Sequence, residues 1–279
     1  IIGDLDVMSQ APLSMIAAGV GDIIGKYVCL ADWQMAHMVN GEYICQEIMK
    51  LVRQSIQKVA DHARAAIQRD KAAISAIMEG LVLSGIAMSY IGNSRPASGS
   101  EHHMSHYWEM MFLLAETADP LHGTKVGVGT VSALRLYEML KESQASLEFL
   151  QAPHFEKEAW QKQILDAYGP AACGVLKLEE EIGKNSDEKV SKRRKTFLEH
   201  QEEIWKIVDA LPSSKDIQKL LESMNAPFSP AQLQVPKEVF QKGIYFAKDL
   251  RNRFGLLQIL FDFGLQETFS QKLIDEFYI

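Results

Sequence analysis

Residues 42–69 read EYICQEIMKLVRQSIQKVADHARAAIQR. Apolar groups fall at Ile44, Ile48, Leu51, Val52, Ile56, Val59 and Ala63, a three-to-four spacing. That period puts one apolar stripe on one face of a helix and rules out the alternation of a half-buried strand. Working outward, 72–91 is nearly all apolar and predicts a buried helix, with Gly80 and Gly85 expected to allow close helix packing. The stretch Gly92 to Ser100 is a loop by composition, with Ser100 as the N-cap of a helix running from Glu101 to about Thr117. Asp119-Pro120 breaks the chain, and Val126–Leu140 is the next helix, entered through Gly123, Gly127 and Gly129. Beyond about Ala152 the sequence is more polar. It predicts helices at 156–168, 171–183, 189–210, 214–225, 237–249, 253–261 and 266–278, punctuated by prolines. No hairpin-like strand pattern, internal repeat or low-complexity tract interrupts them. The fold class expected is all-α, a multi-helix bundle.

The 279 residues carry 29 basic and 36 acidic side chains, a net charge of −7, with 47% hydrophobic and 23% charged residues. This is the composition of a globular protein, and it argues against a disordered chain and a basic nucleic-acid binder. Lys192-Arg193-Arg194-Lys195 lies among acids and reads as a solvated helix face. Cys29, Cys45 and Cys173 have no close pairing, so they read as packing residues and not as a disulfide framework. No apolar run is expected to be long enough to span a bilayer, and the expected compartment is the cytoplasm. The chain opens Ile1-Ile2-Gly3 and not with methionine, as part of a longer protein would.

Four of the eight histidines lie between positions 102 and 122. His102 and His106 are four apart and share a helix face, and His122 follows at a helix entry. Imidazoles on one face, joined by a carboxylate from elsewhere, are what a divalent metal needs. On spacing alone a pair of partly exposed helix histidines is an equal reading. The carboxylate candidate is Asp22, set among small residues in Ala17-Ala18-Gly19-Val20-Gly21-Asp22-Ile23-Ile24-Gly25-Lys26, where a helix N-cap is the plainer alternative. Arg95 and Lys125 are the cations nearest these segments. Each could hold a phosphate, although a surface position is the commoner fate of such residues. Met104, Trp108, Met110 and Met111 read as core.

Taken together, the segment 17–26, Asp32-Trp33, Ser94-Arg95-Pro96-Ala97-Ser98-Gly99-Ser100-Glu101-His102-His103-Met104-Ser105-His106, Leu121-His122-Gly123 and Val126-Gly127-Val128-Gly129-Thr130 resemble glycerol-1-phosphate dehydrogenase, specifically its bacterial branch. Arg251-Asn252-Arg253-Phe254 and Leu260-Phe261-Asp262-Phe263-Gly264 resemble the same branch, while 145–235 carries least of the likeness. That family sits within the iron-containing alcohol dehydrogenase and dehydroquinate synthase-like fold. The resemblance implies an N-terminal α/β nucleotide domain, which this chain does not match, and a C-terminal all-α domain, which it does. Residues 1–279 would form the helical metal- and substrate-binding domain, with 1–150 carrying the site and 151–279 a helical extension and bundle.

Carried over by position, the resemblance makes Asp22, His102 and His122 the metal ligands, with Asp22 also touching substrate. His106 becomes a substrate-contacting catalytic residue, and His103 has no assigned role. Zinc or nickel is the metal implied, with iron elsewhere in the superfamily. NAD or NADP is the redox cofactor, held by no residue assignable here. The implied reaction interconverts dihydroxyacetone phosphate and sn-glycerol 1-phosphate by hydride transfer, in a homodimer acting on a small phosphorylated substrate, with no nucleic-acid or membrane partner. A glycerol or polyol dehydrogenase of the same superfamily, or a non-catalytic helical metal-binding module, stay open as alternatives.

Overall fold

The structure, a computed structural model, describes residues 2–278; Ile1, where the chain opens without methionine, lies outside them. Among the described residues there are fifteen α-helices and no strand, as the periodicity predicts. The first half comprises α1 (Leu5–Met8), α2 (Leu13–Ile24), α3 (Lys26–Asn40), α4 (Gln46–Ile67), α5 (Lys71–Ile91), α6 (Ser100–Leu114) and α7 (His122–Glu142). The second half comprises α8 (Lys157–Tyr168), α9 (Ala172–Ile182), α10 (Asp187–Glu199), α11 (Gln201–Asp209), α12 (Ser214–Ser223), α13 (Lys237–Phe246), α14 (Leu256–Asp262) and α15 (Gln266–Phe277).

The stripe on α4 is buried at Ile48, Val52, Ile56, Val59 and Ala63, packed against α5 and α2. Asp70 caps α5 by accepting from the Ala73 amide at 2.8 Å. Gly80 does allow the packing expected of it: a Cβ there would lie 3.0 Å from Ser55 Oγ and 3.1 Å from Val59. Gly85 does not, since a Cβ there would meet open space.

Several expectations are corrected. Ser100 is the first residue of α6 and not its cap, because its hydroxyl donates to Asp32 Oδ2 at 2.7 Å. Gly127 and Gly129 lie well inside α7, which starts at His122; they serve helix contact and not helix entry. Asp22 sits in the last turn of α2 and caps nothing. The single helix expected over 189–210 is two, broken at His200, because α10 packs on α14 whereas α11 turns toward α7. The charge run on α10 is not wholly solvated: Arg193 is buried in an ion pair with Asp262, at 2.6 and 2.7 Å. Cys173 is exposed and packs against nothing in the core, whereas Cys29 is buried. Residues 13–40 and 71–91 do pass a length and apolarity test for a membrane span. The first is divided into α2 and α3, and both pack on neighbouring helices of the bundle.

Candidate metal centre

The site is built where α2 crosses α7 at backbone distance. A Cβ on Gly21 would lie 2.2 Å from the carbonyl oxygen of Gly123, and a Cβ on Gly123 would lie 2.0 Å from that of Ala18. Two side chains could not occupy that crossing, so glycine is required by close approach on both helices. Asp22 follows Gly21 and His122 precedes Gly123, so this contact delivers a carboxylate beside an imidazole. α6 closes on α7 in the same way, since a Cβ on Gly129 would meet the Glu101 carbonyl at 2.6 Å. That contact brings His102 to the other two.

His102 Nε2 lies 3.3 Å and His122 Nε2 3.8 Å from the same Asp22 oxygen, Oδ1. Asp22, His102 and His122 each offer a ligand atom, and these atoms lie within 4.8 Å of one another. The rings of His102, His106 and His122 are mutually 5.4–5.7 Å apart. His106, Glu109 and His122 form a second, overlapping group of three, also within 4.8 Å. His122 is 43% exposed at its side chain and His102 7%, so the cluster opens on the His122 side.

The surroundings fix the donors. Glu101 is fully buried, and its Oε1 lies 2.7 Å from His102 Nδ1 while accepting from the Gly99 amide at 2.9 Å. A carboxylate on Nδ1 orients the ring and leaves Nε2 facing Asp22, the arrangement by which proteins present histidine to a metal. Lys26 Nζ donates to Asp22 Oδ2 and to the Asp22 carbonyl, both at 2.8 Å, which leaves Oδ1 to the imidazoles. Burial works against the Asp22 charge, but Lys26 and His102 outweigh it and hold the carboxyl well below the usual carboxylate range. Burial likewise opposes charge on His102, and its bonds to Asp22 and Glu101 overcome that, raising its pKa. Burial and then the positive field of His102 and His122 push His106 down to about 4. His122 is also lowered, by burial first and then by His102.

One ionised carboxylate oxygen and two imidazole nitrogens on a common centre suit a divalent first-row ion. The donor set therefore fits the metal that the resemblance implies. The described residues build no strand, so the strand–turn–helix cradle of a dinucleotide fold is not formed from them and NAD(P) is assigned no residue.

Arg95 and Lys125 do not sit at the surface: they are 1% and 0% exposed. Arg95 reaches Glu42 at 3.0 Å and the carbonyls of Asp32 and Phe254 at 3.2 and 2.6 Å. Lys125 pairs with Asp119 and, at 3.3 Å, with Glu109. Both cations are tied into the fold. His103 is buried, and its Nε2 has no partner among the described residues. Sequence reasoning missed Lys26, Glu101 and Glu109. The first is four residues beyond Asp22 and the last is three beyond His106, both on a shared helix face, so spacing held that information.

No protein-family model matches the chain. Curated relatives do. A glycerol-1-phosphate dehydrogenase of Halalkalibacterium halodurans is 34% identical over 260 residues, 93% of this chain and 56% of the relative. One of Geobacillus thermodenitrificans is 33% identical over 268 residues, 96% of this chain and 58% of the relative. This chain is a homologue of the glycerol-1-phosphate dehydrogenases. It corresponds to the C-terminal part of those longer proteins and spans about half their length. An archaeal glycerol-1-phosphate dehydrogenase, from Staphylothermus marinus, is 39% identical over 137 residues, 49% of this chain. These relatives are named for NAD(P)+.

Proposed function

We propose that this chain is the metal- and substrate-holding part of an NAD(P)-linked oxidoreductase, an sn-glycerol-1-phosphate dehydrogenase. The observation that supports it is the meeting of Asp22, His102 and His122 on one centre, in a homologue of that family. These three residues would hold a divalent ion, zinc or nickel, which supplies Lewis acidity at the substrate's reacting oxygen when bound. Asp22 stays ionised at neutral pH, and Lys26 restrains one of its oxygens. Glu101 holds the His102 ring in the orientation that presents Nε2.

His106 is neutral near pH 7, so one ring nitrogen can accept and the other donate a hydrogen bond to a substrate hydroxyl. In that position it could carry a proton to or from that hydroxyl. Arg95 and Lys125 are not assigned the phosphate, since carboxylates and carbonyls already engage them. A cytoplasmic compartment and a homodimer belong to the same reading, and fractionation and light scattering check them.

The test measures metal content and NAD(P)H oxidation with dihydroxyacetone phosphate on the full-length gene product. His122→Ala and His102→Ala should lose metal and turnover together. Full metal content and full rate in His122→Ala would overturn the site. Glycerol turned over faster than glycerol 1-phosphate would favour the polyol dehydrogenase reading. Bound metal with no oxidation of NAD(P)H would favour the non-catalytic module.

A further inference from the structure

A second polar concavity lies away from the histidine cluster. α3 starts beside Asp22 and ends at Asn40; at about 1.5 Å per residue its far end is about 20 Å from its start. At that far end is a cavity of about 350 Å³, walled by Asn40, the α9–α10 segment and residues 252–258. Its cations are Lys184, Lys189, Lys192, Arg193 and Arg253, and no carboxylate lines it. In a chain of net charge −7, this is a concentrated positive concavity.

Four of the five cations have no carboxylate ion pair among the described residues. Arg193 is the exception, bound to Asp262. Lys184, 7% exposed, donates to the Lys248 and Arg251 carbonyls. Arg253 donates to the Ser98 carbonyl at 3.1 Å and to Ser94 Oγ at 3.0 Å. Lys189 donates to the Ile182 carbonyl. These hydrogen-bond partners are neutral, so they hold the three side chains without a direct ion pair, although the fields of Asp249 and Glu179 reach Lys184 and that of Glu42 reaches Arg253. Gln258 is 3% exposed, lines the same cavity, and its Oε1 has no partner among the described residues. An unpartnered buried acceptor among donors calls for a ligand that can also donate. A phosphate monoester that also bears a hydroxyl meets both needs.

We infer that this cavity is a binding site for a small phosphorylated compound, separate from the candidate metal centre. Cations gathered around one concavity, three of them held by the fold, focus potential, and a phosphate group is the anion that several converging ammonium and guanidinium groups suit. Val39, Ile182 and Phe254 supply an apolar wall for the carbon part of the ligand. The phosphate could belong to a free metabolite or to a lipid headgroup, and the shared chemistry is the phosphate group.

The experiment is calorimetric titration of the full-length protein with inorganic pyrophosphate and with glycerol 2-phosphate. The comparison is with a double variant, Lys189→Glu with Lys192→Glu. Both lysines are exposed, so the fold is expected to tolerate the exchange. The expected result is saturable binding that weakens by about tenfold or more in the double variant, with Tm unchanged, and that weakens with added salt. It should persist in His102→Ala, which separates this site from the metal centre and makes its failure independent of the proposed activity. Cosedimentation with phosphatidylcholine vesicles containing phosphatidic acid separates the two sources. Vesicle binding lost in the double variant assigns a headgroup, and its absence beside pyrophosphate binding assigns a free phosphate compound. No binding of either probe, or equal binding in the double variant, would overturn the site.

Discussion

Asp22 and Asp32 stand ten residues apart, on consecutive helices, and meet opposite fates. Asp32 is 1% exposed and closed on all sides. It accepts from the Ser100 amide and hydroxyl at 2.7 Å each, from the Leu256 amide at 2.9 Å and from the Tyr137 hydroxyl. It thereby ties α3 to the starts of α6 and α14 and to α7. Asp22 has one oxygen held by Lys26 and the other turned to two imidazoles beside a partly exposed ring. Their acidities move apart accordingly. Burial raises Asp32 despite the nearby Arg95, whereas Lys26 and His102 overcome burial and lower Asp22. A carboxylate whose acceptor capacity is filled by the fold is structural; one with an oxygen facing open imidazoles is available to a ligand.

Four experiments can break or sharpen that contrast. The largest effect is expected from Asp22→Asn, which should abolish divalent-metal binding, read by metal analysis of purified protein, while the helical circular dichroism stays intact. Metal retained at full stoichiometry would remove Asp22 from the centre. Next, Asp32→Ala should destabilise the fold by about 3–5 kcal/mol in urea unfolding, since it strands several buried donors. A change as small as that of Asp22→Asn would erase the distinction. Third, Gly21→Ala should cost about 1–3 kcal/mol by forcing α2 away from α7, and should weaken metal binding as Asp22 moves from His122. Stability lost with metal affinity unchanged would show that the crossing does not position the site.

The smallest effect is on the pH dependence of unfolding in metal-free protein. Asp22 is lowered on folding, so its stabilisation is full above its unfolded pKa, about 4, and is lost as pH falls. His106, held at about 4, adds the same sign: the unfolded chain binds more protons between about 4 and 6.5, so stability rises with pH there. Asp32 runs the other way, since its raised pKa favours the folded state on the acid side and that gain fades as pH rises through the folded value. His106→Gln should flatten the rise between about pH 4 and 6.5, and an unchanged slope would count against a neutral His106.

Helix positions were legible because they rest on local spacing. The stripe of 42–69 and the prolines of the second half mark elements within a few residues of where they form. His102 and His106 share a face by the same arithmetic. Asp22 was harder to read: local composition makes it a cap, and only a family likeness singles it out. Its partners stand 80 and 100 residues away, a separation no local pattern encodes. The burial of Arg95 is hidden from the sequence for the same reason, since Glu42 and the Phe254 carbonyl that hold it are supplied by packing, whereas the first partner of Lys125 is Asp119, only six residues before it.

Residue order alone therefore specifies the all-helical class, most of the helix limits it predicts and the histidine pair, because each depends on short-range periodicity; the glycines of α7 read as a helix entry, and only packing shows that they serve helix contact. Packing alone specifies that Gly21 lies on Gly123, that one oxygen of Asp22 faces His102 and His122, that Asp32 is sealed, and that Arg253 joins the four cations of 184–193 in one cavity. Those relations depend on which helix faces meet, and that is set by burying the apolar stripes of all the helices at once.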